Sequence, residues 1–247
     1  MGRISLELVP RSRESFSEEL ELVRKKFTRV DTMNIPDILK YDVRIPEACE
    51  VAVSYFSRVI PHIRAVSINK EKPFSYKKFF VKNRIKEILV ILGDNPEIVS
   101  KSENPCTSVE LIRKIKKEMP GLKVYAGIDQ WRTSYGEEME YAREKIDAGA
   151  DGFFTQPFYE LAMIEKWEKN LRDTEVFWGL APVIRPSSKR YWETQNSIVF
   201  PDDFECTMDW NKEFARNVLQ MVSADNFHVY FCPITVDFVD YLTGVLT

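Results

Sequence analysis

Eight short apolar runs alternate with segments of helical patterning along this chain of 247 residues, and this alternation is the strongest indication of its fold. The runs are mostly apolar along their length rather than strictly alternating, and they are rich in β-branched and aromatic residues, which is typical of parallel strands covered on both faces. They are Ile4–Val9, Val30–Ile35, Ile60–Ile68, Glu87–Leu92, Lys123–Ile128, Gly152–Gln156, Val176–Val183 and Phe227–Cys232. The sequence therefore predicts an α/β protein built around a parallel sheet.

Helical segments follow these runs, and two of them begin with a recognisable cap. Thr107 with Glu110, and Ser134 with Glu137, each form the pattern of a capping box. Eight units of strand followed by helix in about 250 residues predict a single (β/α)8 TIM barrel, with residues 1–247 as one domain. A doubly wound sheet is the alternative, although it would normally have fewer strands and often a glycine-rich first turn.

One segment interrupts the alternation. Residues 184–209 follow the seventh run and contain two prolines and several polar residues. A segment of this length without an apolar pattern is usually functional or disordered in a compact domain. Because it leaves the carboxyl end of a strand, it is predicted to be a long loop over the active face of the barrel.

Charge and residue counts exclude several classes of function. The chain has 35 basic and 38 acidic residues, and its net charge of −3 argues against a protein-wide nucleic-acid interface. Its nine glycines form no phosphate-binding loop, and its two histidines and four scattered cysteines form no metal-binding or disulfide pattern. Without a signal-peptide pattern or an apolar stretch of roughly 18 residues, the chain is predicted to be cytoplasmic, with no membrane partner.

Polar residues at the strand ends are the candidate site, because barrels of this type carry their chemistry there. Glu7 lies inside the first run, where burial would give its carboxyl group the raised pKa of a general acid or base. A structural ion pair is the alternative for Glu7. Asp94 follows the fourth run and would bring a second carboxylate to the mouth. His62, in the third run, is either a hydrogen-bonded core residue or a catalyst.

The sixth run has an unusual polar ending. The amide of Gln156 can donate and accept hydrogen bonds with a planar heterocycle, and the ring of Phe158 beside it offers a stacking surface. A helix cap is the alternative interpretation of this ending.

Six motifs at these predicted strand ends resemble those of the methylenetetrahydrofolate reductase family, whose members are flavin-dependent (β/α)8 barrels. The motifs are Ser5–Pro10, Pro61–His62, Leu92–Pro96, Ala148–Phe158, Gly179–Val183 and Phe227–Tyr230. They occur in the order in which the family has them, and Ala148–Phe158 is the most specific match. The chain is similar to a short, divergent member of this family.

The resemblance implies an oxidoreductase acting on CH–NH donors, which reduces 5,10-methylenetetrahydrofolate or a related one-carbon pterin to the 5-methyl form. Hydride would pass from NADH or NADPH through a flavin, FAD. By this resemblance Glu7 is the acid that protonates the folate, Asp94 binds the pterin and tunes the flavin, and Gln156 binds the folate. Trp192 would stack on the substrate, and His62 would contact the flavin.

Several flavin-side positions depart from the family pattern. Leu92 stands where the family has an arginine before Gly-Asp, and the fifth and eighth runs end differently. The diphosphate of a flavin dinucleotide would need other donors, such as Arg132.

Two alternatives to the reductase stay open at this point. One is a flavin-free folate-binding barrel that serves as the partner subunit of a methyltransferase, and the other is a barrel lyase or aldolase. Beside a folate-type substrate, a second copy of the chain or a methyltransferase is the expected partner.

Overall fold

The eight apolar runs form eight parallel strands that close into a barrel in sequential order, with β1 paired to β8. The computed structural model describes residues 2–93, 102–222, 226–234 and 236–247. The strands are β1 Ile4–Glu7, β2 Thr32–Ile35, β3 Val59–Arg64, β4 Glu87–Ile91, β5 Lys123–Ile128, β6 Gly152–Pro157, β7 Glu175–Leu180 and β8 Phe227–Phe231. The prediction of a (β/α)8 TIM barrel is confirmed.

Helices occupy the connections between the strands. They are α1 Arg13–Lys26, α2 Ile45–Ala52, α3 Lys77–Asn83, α4 Ser108–Glu118, α5 Tyr135–Asp147, α6 Leu161–Leu171, α7 Pro186–Gln195, α8 Met208–Gln220 and α9 Phe238–Leu242. Both predicted capping boxes are present, at the starts of α4 and α5. Within the described part of the chain, no helix combines the length and the apolar character needed to cross a lipid bilayer.

Two strands end three or more residues earlier than their apolar runs. β3 ends at Arg64, because Ala65–Ser67 turn into a short 3-10 helix. β7 ends at Leu180, shortly before Pro182, which has no N–H group to donate to a neighbouring strand. The chain therefore leaves the barrel with Arg64 as the last residue of β3.

Residues 184–209 are not the predicted long loop. The segment begins with helix α7, which has Pro186 in its first turn, where a missing N–H group costs nothing. Beyond this helix Ile198, Phe200 and Phe204 are buried, and they pack in one apolar cluster with Phe154 of β6. The loop prediction was wrong because these spaced apolar residues stabilise an ordered segment by burial.

Aromatic rings fill the middle of the barrel. The rings of Phe154 and Phe177 stack with their centroids 4.1 Å apart, and the ring of Tyr125 meets both edge-on at 5.3 Å. These three side chains come from β5, β6 and β7, whose inward positions face one another. The interior is thus a packed core rather than a pore.

A charged network lies at the amino-terminal end of the barrel. Arg3 contacts Glu87 at 2.6 Å, and Glu175 accepts a hydrogen bond from His228 Nε2 at 2.9 Å and pairs with Lys123. Burial raises the pKa of Glu175, but these hydrogen bonds outweigh it and bring the pKa down to about 2. His228 therefore belongs to this network, at the end of the barrel opposite to the cavity described below.

Candidate functional site

A cavity of about 760 Å³ opens at the carboxyl ends of the strands. Its position is the one at which barrels of this architecture bind their ligands. The wall contains side chains from six strands, from the turn after β2 and from α7, including Glu7, Asp37, His62, Leu89, Ile91, Ile128, Phe154, Gln156, Tyr191, Trp192 and Tyr230.

Glu7 is a buried carboxyl group in the wall of this cavity. Barrel closure places it beside Tyr230 of β8, whose hydroxyl group donates a hydrogen bond to Glu7 Oε2. Burial raises the pKa of Glu7 to about 7, although the hydrogen bond from Tyr230 opposes the shift. No described cation forms a salt bridge with it except His62 when protonated, so the alternative of a structural ion pair does not describe Glu7.

His62 is a neutral imidazole next to this carboxyl group. Its Nε2 atom lies 3.8 Å from Glu7 Oε2 and 3.2 Å from Asn34 Oδ1, and Asn34 in turn donates to Ser5 Oγ at 2.5 Å. Burial lowers the pKa of His62 to about 3, so the ring carries no charge at neutral pH. A neutral His62 can hydrogen-bond to Asn34 without holding Glu7 in its ionised form.

The pair of Glu7 and Tyr230 is suited to proton transfer near neutral pH. A carboxyl group with a pKa close to the working pH is populated in both protonation states, which is the condition for an effective general acid or base.

A second cavity, of about 350 Å³, is also lined by Glu7 and lies between the end of β1 and the segment before α9. Glu7 thus borders two cavities.

Gln156 reaches the main cavity because β6 is irregular near its end. The register between β6 and β7 shifts between Phe154 and Pro157, and such a bulge redirects the side chains that follow it. The buried amide of Gln130 supports the bulge by donating to the carbonyl oxygen of Gln156 at 2.7 Å. The helix-cap alternative for Gln156 does not hold, because β6 continues to Pro157 and α6 begins only at Leu161.

Gly179 of β7 makes this bulge sterically feasible. A Cβ atom at this position would lie 2.6 Å from the carbonyl oxygen of Thr155 and 2.9 Å from that of Gln156. The backbone N–H of Gly179 instead donates to Thr155 Oγ1 at 2.9 Å. The close approach of the two strands therefore requires a residue without a side chain.

Comparison with known protein families identifies the family of this chain. The methylenetetrahydrofolate reductase family model matches residues 42–203, about two thirds of the chain. The chain belongs to the methylenetetrahydrofolate reductase family. A comparison with curated proteins finds no match.

Solved structures share the fold of this methylenetetrahydrofolate reductase family member at low identity. One is an uncharacterized protein from Clostridium thermocellum that binds two copies of 5-methyl-5,6,7,8-tetrahydrofolic acid. Its sequence is 12% identical, its TM-score is 0.61, and the match covers 99% of this chain and 94% of that one. Another is 2,3-dimethylmalate lyase of the PEP mutase/isocitrate lyase superfamily, with 12% identity, a TM-score of 0.58, and coverage of 95% and 76%.

The cavity brings together four of the predicted site residues of this family member. Glu7, His62, Gln156 and Trp192 all line it, and their roles toward a ligand stay predictions. Asp94 lies outside the described residues.

Phe158 does not line the main cavity, contrary to the prediction of a stacking surface. The chain leaves the barrel wall after Pro157, and Phe158 turns outward, where it is completely buried. Its ring packs against Trp178 with centroids 5.6 Å apart and against Trp131 at 6.4 Å. Phe158 is therefore a core residue, since no face of its ring is free for a ligand.

Arg132 is also not in the cavity wall. Its Nη2 atom donates to Glu138 at 2.5 Å, on the side of the barrel covered by α5, because Glu138 is buried and needs a cationic partner. Among the described residues, Lys40 is the one lysine or arginine that lines the cavity. Arg132 and Lys40 therefore do not form a binding site for the diphosphate of a flavin dinucleotide. No chemical step is assigned to a flavin at this site.

Tyr230, Asn34 and Gln130 were not among the predicted site residues. Tyr230 lies in the last of the family-like motifs, and Asn34 lies in the second run. Each is two residues from another inward-facing position, and this period of two is the signal that could have identified them. Gln130 left no such signal, because its contact with Gln156 depends on the conformation of the turn after β5.

Proposed function

We propose that the main cavity binds a reduced folate, with the pterin ring between Glu7 and Gln156. Family membership and a fold neighbour that binds 5-methyltetrahydrofolate support a ligand of this class. The observation that carries the proposal is the buried Glu7 carboxyl group, whose pKa of about 7 allows proton exchange with a ring nitrogen. The amide of Gln156 matches a pterin edge, which offers both donors and acceptors.

The reaction that this arrangement serves best is reduction of 5,10-methylenetetrahydrofolate to 5-methyltetrahydrofolate. The protonated Glu7 gives its proton to the folate nitrogen as the methylene bridge opens, and NADH or NADPH supplies the hydride. Glu7 then regains its proton from solvent, for which the second cavity beside it offers a route.

A binding titration and a turnover assay test this proposal together. We expect 5-methyltetrahydrofolate to bind the wild-type protein, and Glu7→Gln to keep that affinity while turnover falls by about 10²- to 10⁴-fold. Glu193→Gln, an exposed carboxyl change on α7, is the matched control and should alter neither quantity. Full turnover in the Glu7 variant, or absence of folate binding, would refute the proposal.

A flavin-free folate carrier is the second candidate function, and the ion pair between Arg132 and Glu138 favours it. In this form the barrel would present its folate to a methyltransferase partner. The visible absorbance of the purified protein after incubation with FAD separates the two candidates. A flavin spectrum that is retained on gel filtration supports the reductase, and a colourless protein that still binds folate supports the carrier.

A further inference from the structure

Tyr230 of β8 joins the wall of the main cavity to the carboxyl group of Glu7. Its hydroxyl group donates to Glu7 Oε2, and both side chains line the cavity. Tyr230 is opposite Ser5 in the register of β1, two residues before Glu7, and its buried ring packs edge-on against Phe154 with the centroids 5.1 Å apart. Paired strands and ring packing therefore hold both partners of this hydrogen bond in place.

This hydrogen bond determines which oxygen atom of Glu7 carries the acidic proton. A protonated carboxyl group has one hydroxyl oxygen, which donates, and one carbonyl oxygen, which accepts. Because Tyr230 donates to Oε2, Oε2 is the accepting oxygen and Oε1 holds the proton. The proton of Glu7 can then leave from Oε1 without breaking the contact with Tyr230.

The same hydrogen bond gains strength when Glu7 gives up its proton. In the proposed reaction the O–H bond of Glu7 breaks, an N–H bond to the folate forms, and the bond between that nitrogen and the methylene carbon opens. The hydride of NADH or NADPH then reduces the methylene carbon. A negative charge stays on the buried carboxylate, and a hydrogen bond to an ionised acceptor is roughly twice as strong as one between neutral groups.

We propose that Tyr230 is a positioning residue for this proton transfer, because it fixes Glu7 Oε2 and stabilises the carboxylate that forms. The inference rests on the proposed function, in which Glu7 is the acid. A hydrogen-bond donor that is already in place needs no reorganisation during the reaction. An interaction that is stronger in the transition state than in the ground state accelerates the chemical step.

The other titratable groups near Glu7 stay in place when only the hydroxyl group of Tyr230 is removed. Among the described residues, those that line the main cavity are Asp37, Lys40, His62, Tyr191 and Cys232, and those that line the second cavity are Arg11, Glu19 and Asp237. Burial raises the pKa of Glu7, and the hydrogen bond from Tyr230 opposes this shift. A further rise of this pKa in a Tyr230 variant therefore reports the loss of the hydrogen bond.

The pH dependence of turnover tests the proposal with Tyr230→Phe, which removes a single oxygen atom. Wild-type turnover of 5,10-methylenetetrahydrofolate should fall as the pH rises through about 7, because Glu7 can donate only in its protonated form. In the variant we expect this fall to move upward by about one to two pH units, the effect of losing a charged hydrogen bond. Below pH 7 its turnover should be roughly 10-fold lower, because Glu7 is then the weaker acid.

Tyr159→Phe is the matched control for the loss of a buried hydroxyl group. The hydroxyl group of Tyr159 donates to the carbonyl oxygen of Ala181 at 3.0 Å, and Tyr159 is not part of the described wall of the main cavity. This variant should leave the pH dependence where it is. In the Glu7→Gln background, Tyr230→Phe should cost no further turnover, whereas a structural role would cost the same in both backgrounds.

An NMR titration of the free protein measures the pKa of Glu7 without any turnover. The side-chain carboxyl carbons of glutamate are labelled with ¹³C, and the signal of Glu7 is the one that is absent from Glu7→Gln. We expect its midpoint near pH 7 in the wild type and at higher pH in Tyr230→Phe.

The outcomes separate this inference from the proposed function. An unchanged midpoint in Tyr230→Phe would overturn the inference, and so would a shifted midpoint with an unmoved pH dependence of turnover, while the proposed function stands in both cases. If the wild-type protein does not turn over 5,10-methylenetetrahydrofolate, the proposed function fails, and the role of Tyr230 in proton transfer fails with it.

Discussion

Glu7 and His62 lie 3.8 Å apart, and burial disfavours the charged form of each. It raises the pKa of Glu7 to about 7 and lowers the pKa of His62 to about 3. Between about pH 3 and pH 7 the cavity wall therefore holds a carboxylic acid beside a neutral imidazole. A pair of this kind can donate a proton to a bound heterocycle without first breaking an internal salt bridge.

The pKa of Glu7 also predicts a pH-dependent stability. Because its folded-state pKa of about 7 lies above the ordinary value of 4.5, the folded state loses stability as the pH rises through 7. We expect Glu7→Gln to be more stable than the wild type by about 3 kcal/mol at pH 8 and equally stable near pH 4.

Urea unfolding of both proteins at several pH values measures this difference. Glu193→Gln, whose carboxyl group is exposed, serves as the control and should follow the wild type at every pH. A stability difference for Glu7→Gln that does not depend on pH would show that Glu7 has an ordinary pKa.

At the scale of secondary-structure elements, the contact between β6 and β7 places Gln156 in the cavity. Gly179→Ala introduces a Cβ atom 2.6 Å from a backbone carbonyl oxygen, so β6 must shift. We expect a loss of roughly 1–3 kcal/mol in unfolding free energy, and weaker folate binding, because the bulge that carries Gln156 is displaced.

Gly136→Ala, in the first turn of α5, is the matched control. A Cβ atom there meets no heavy atom within 4 Å, and alanine is the better helix former, so a small gain in stability is expected. Equal stability of the Gly179 and Gly136 variants would show that the close approach of β6 and β7 is not required.

The turn after β5 is held by a buried ionic cluster on α5. Glu138 is 1% exposed and accepts hydrogen bonds from Arg132 and from the backbone of Asp129, while Lys145 lies 3.6 Å away. Burial lowers the pKa of Lys145 to about 8, although the charge of Glu138 opposes the shift. The cluster therefore depends on Glu138.

Glu138→Ala should cost about 3–5 kcal/mol of unfolding free energy, because it leaves the buried ammonium group of Lys145 without its carboxylate. Glu140→Ala removes the carboxylate of an exposed pair in the same helix, at 3.1 Å from Arg143, and should cost less than about 1 kcal/mol. Chemical denaturation at neutral pH compares the two variants. Similar losses would contradict the role assigned to the buried cluster.

At the scale of the whole molecule, the network around Arg3 joins the first strand of the barrel to later strands. Glu175 belongs to it, and its folded-state pKa of about 2 lies below the ordinary value of 4.5. The stability that Glu175 contributes is therefore present above pH 4.5 and is lost as the pH falls toward 2. We expect acid unfolding of the wild type to steepen in this interval.

Glu175→Gln should remove about 3 kcal/mol of the pH dependence between pH 4.5 and 2. His62 gives a further loss of stability on acidification between pH 6.5 and 3, and that part should remain in the variant. Circular dichroism during acid titration measures both parts. An unchanged acid limb in the variant would show that Glu175 does not control it.

Features that depend on near neighbours in the chain were predictable from the sequence. Eight mostly apolar runs predict parallel strands covered on both faces. The capping boxes at Thr107 and Ser134 predict helix starts, since a capping box needs only residues three apart. The order of the motifs also placed Glu7 and Gln156 at the same end of the barrel. The alternation of strand and helix was sufficient to predict these features.

The site itself depends on contacts between distant parts of the chain. Tyr230 meets Glu7 across 223 positions only because β8 pairs with β1, and this closure produces the burial that raises the pKa of Glu7. The outward turn of Phe158 follows from packing against Trp178 and Trp131, which no local pattern encodes. Residue types and their spacing thus determined the barrel and the end that carries chemistry, whereas barrel closure and packing determined which side chains face the ligand and which are charged.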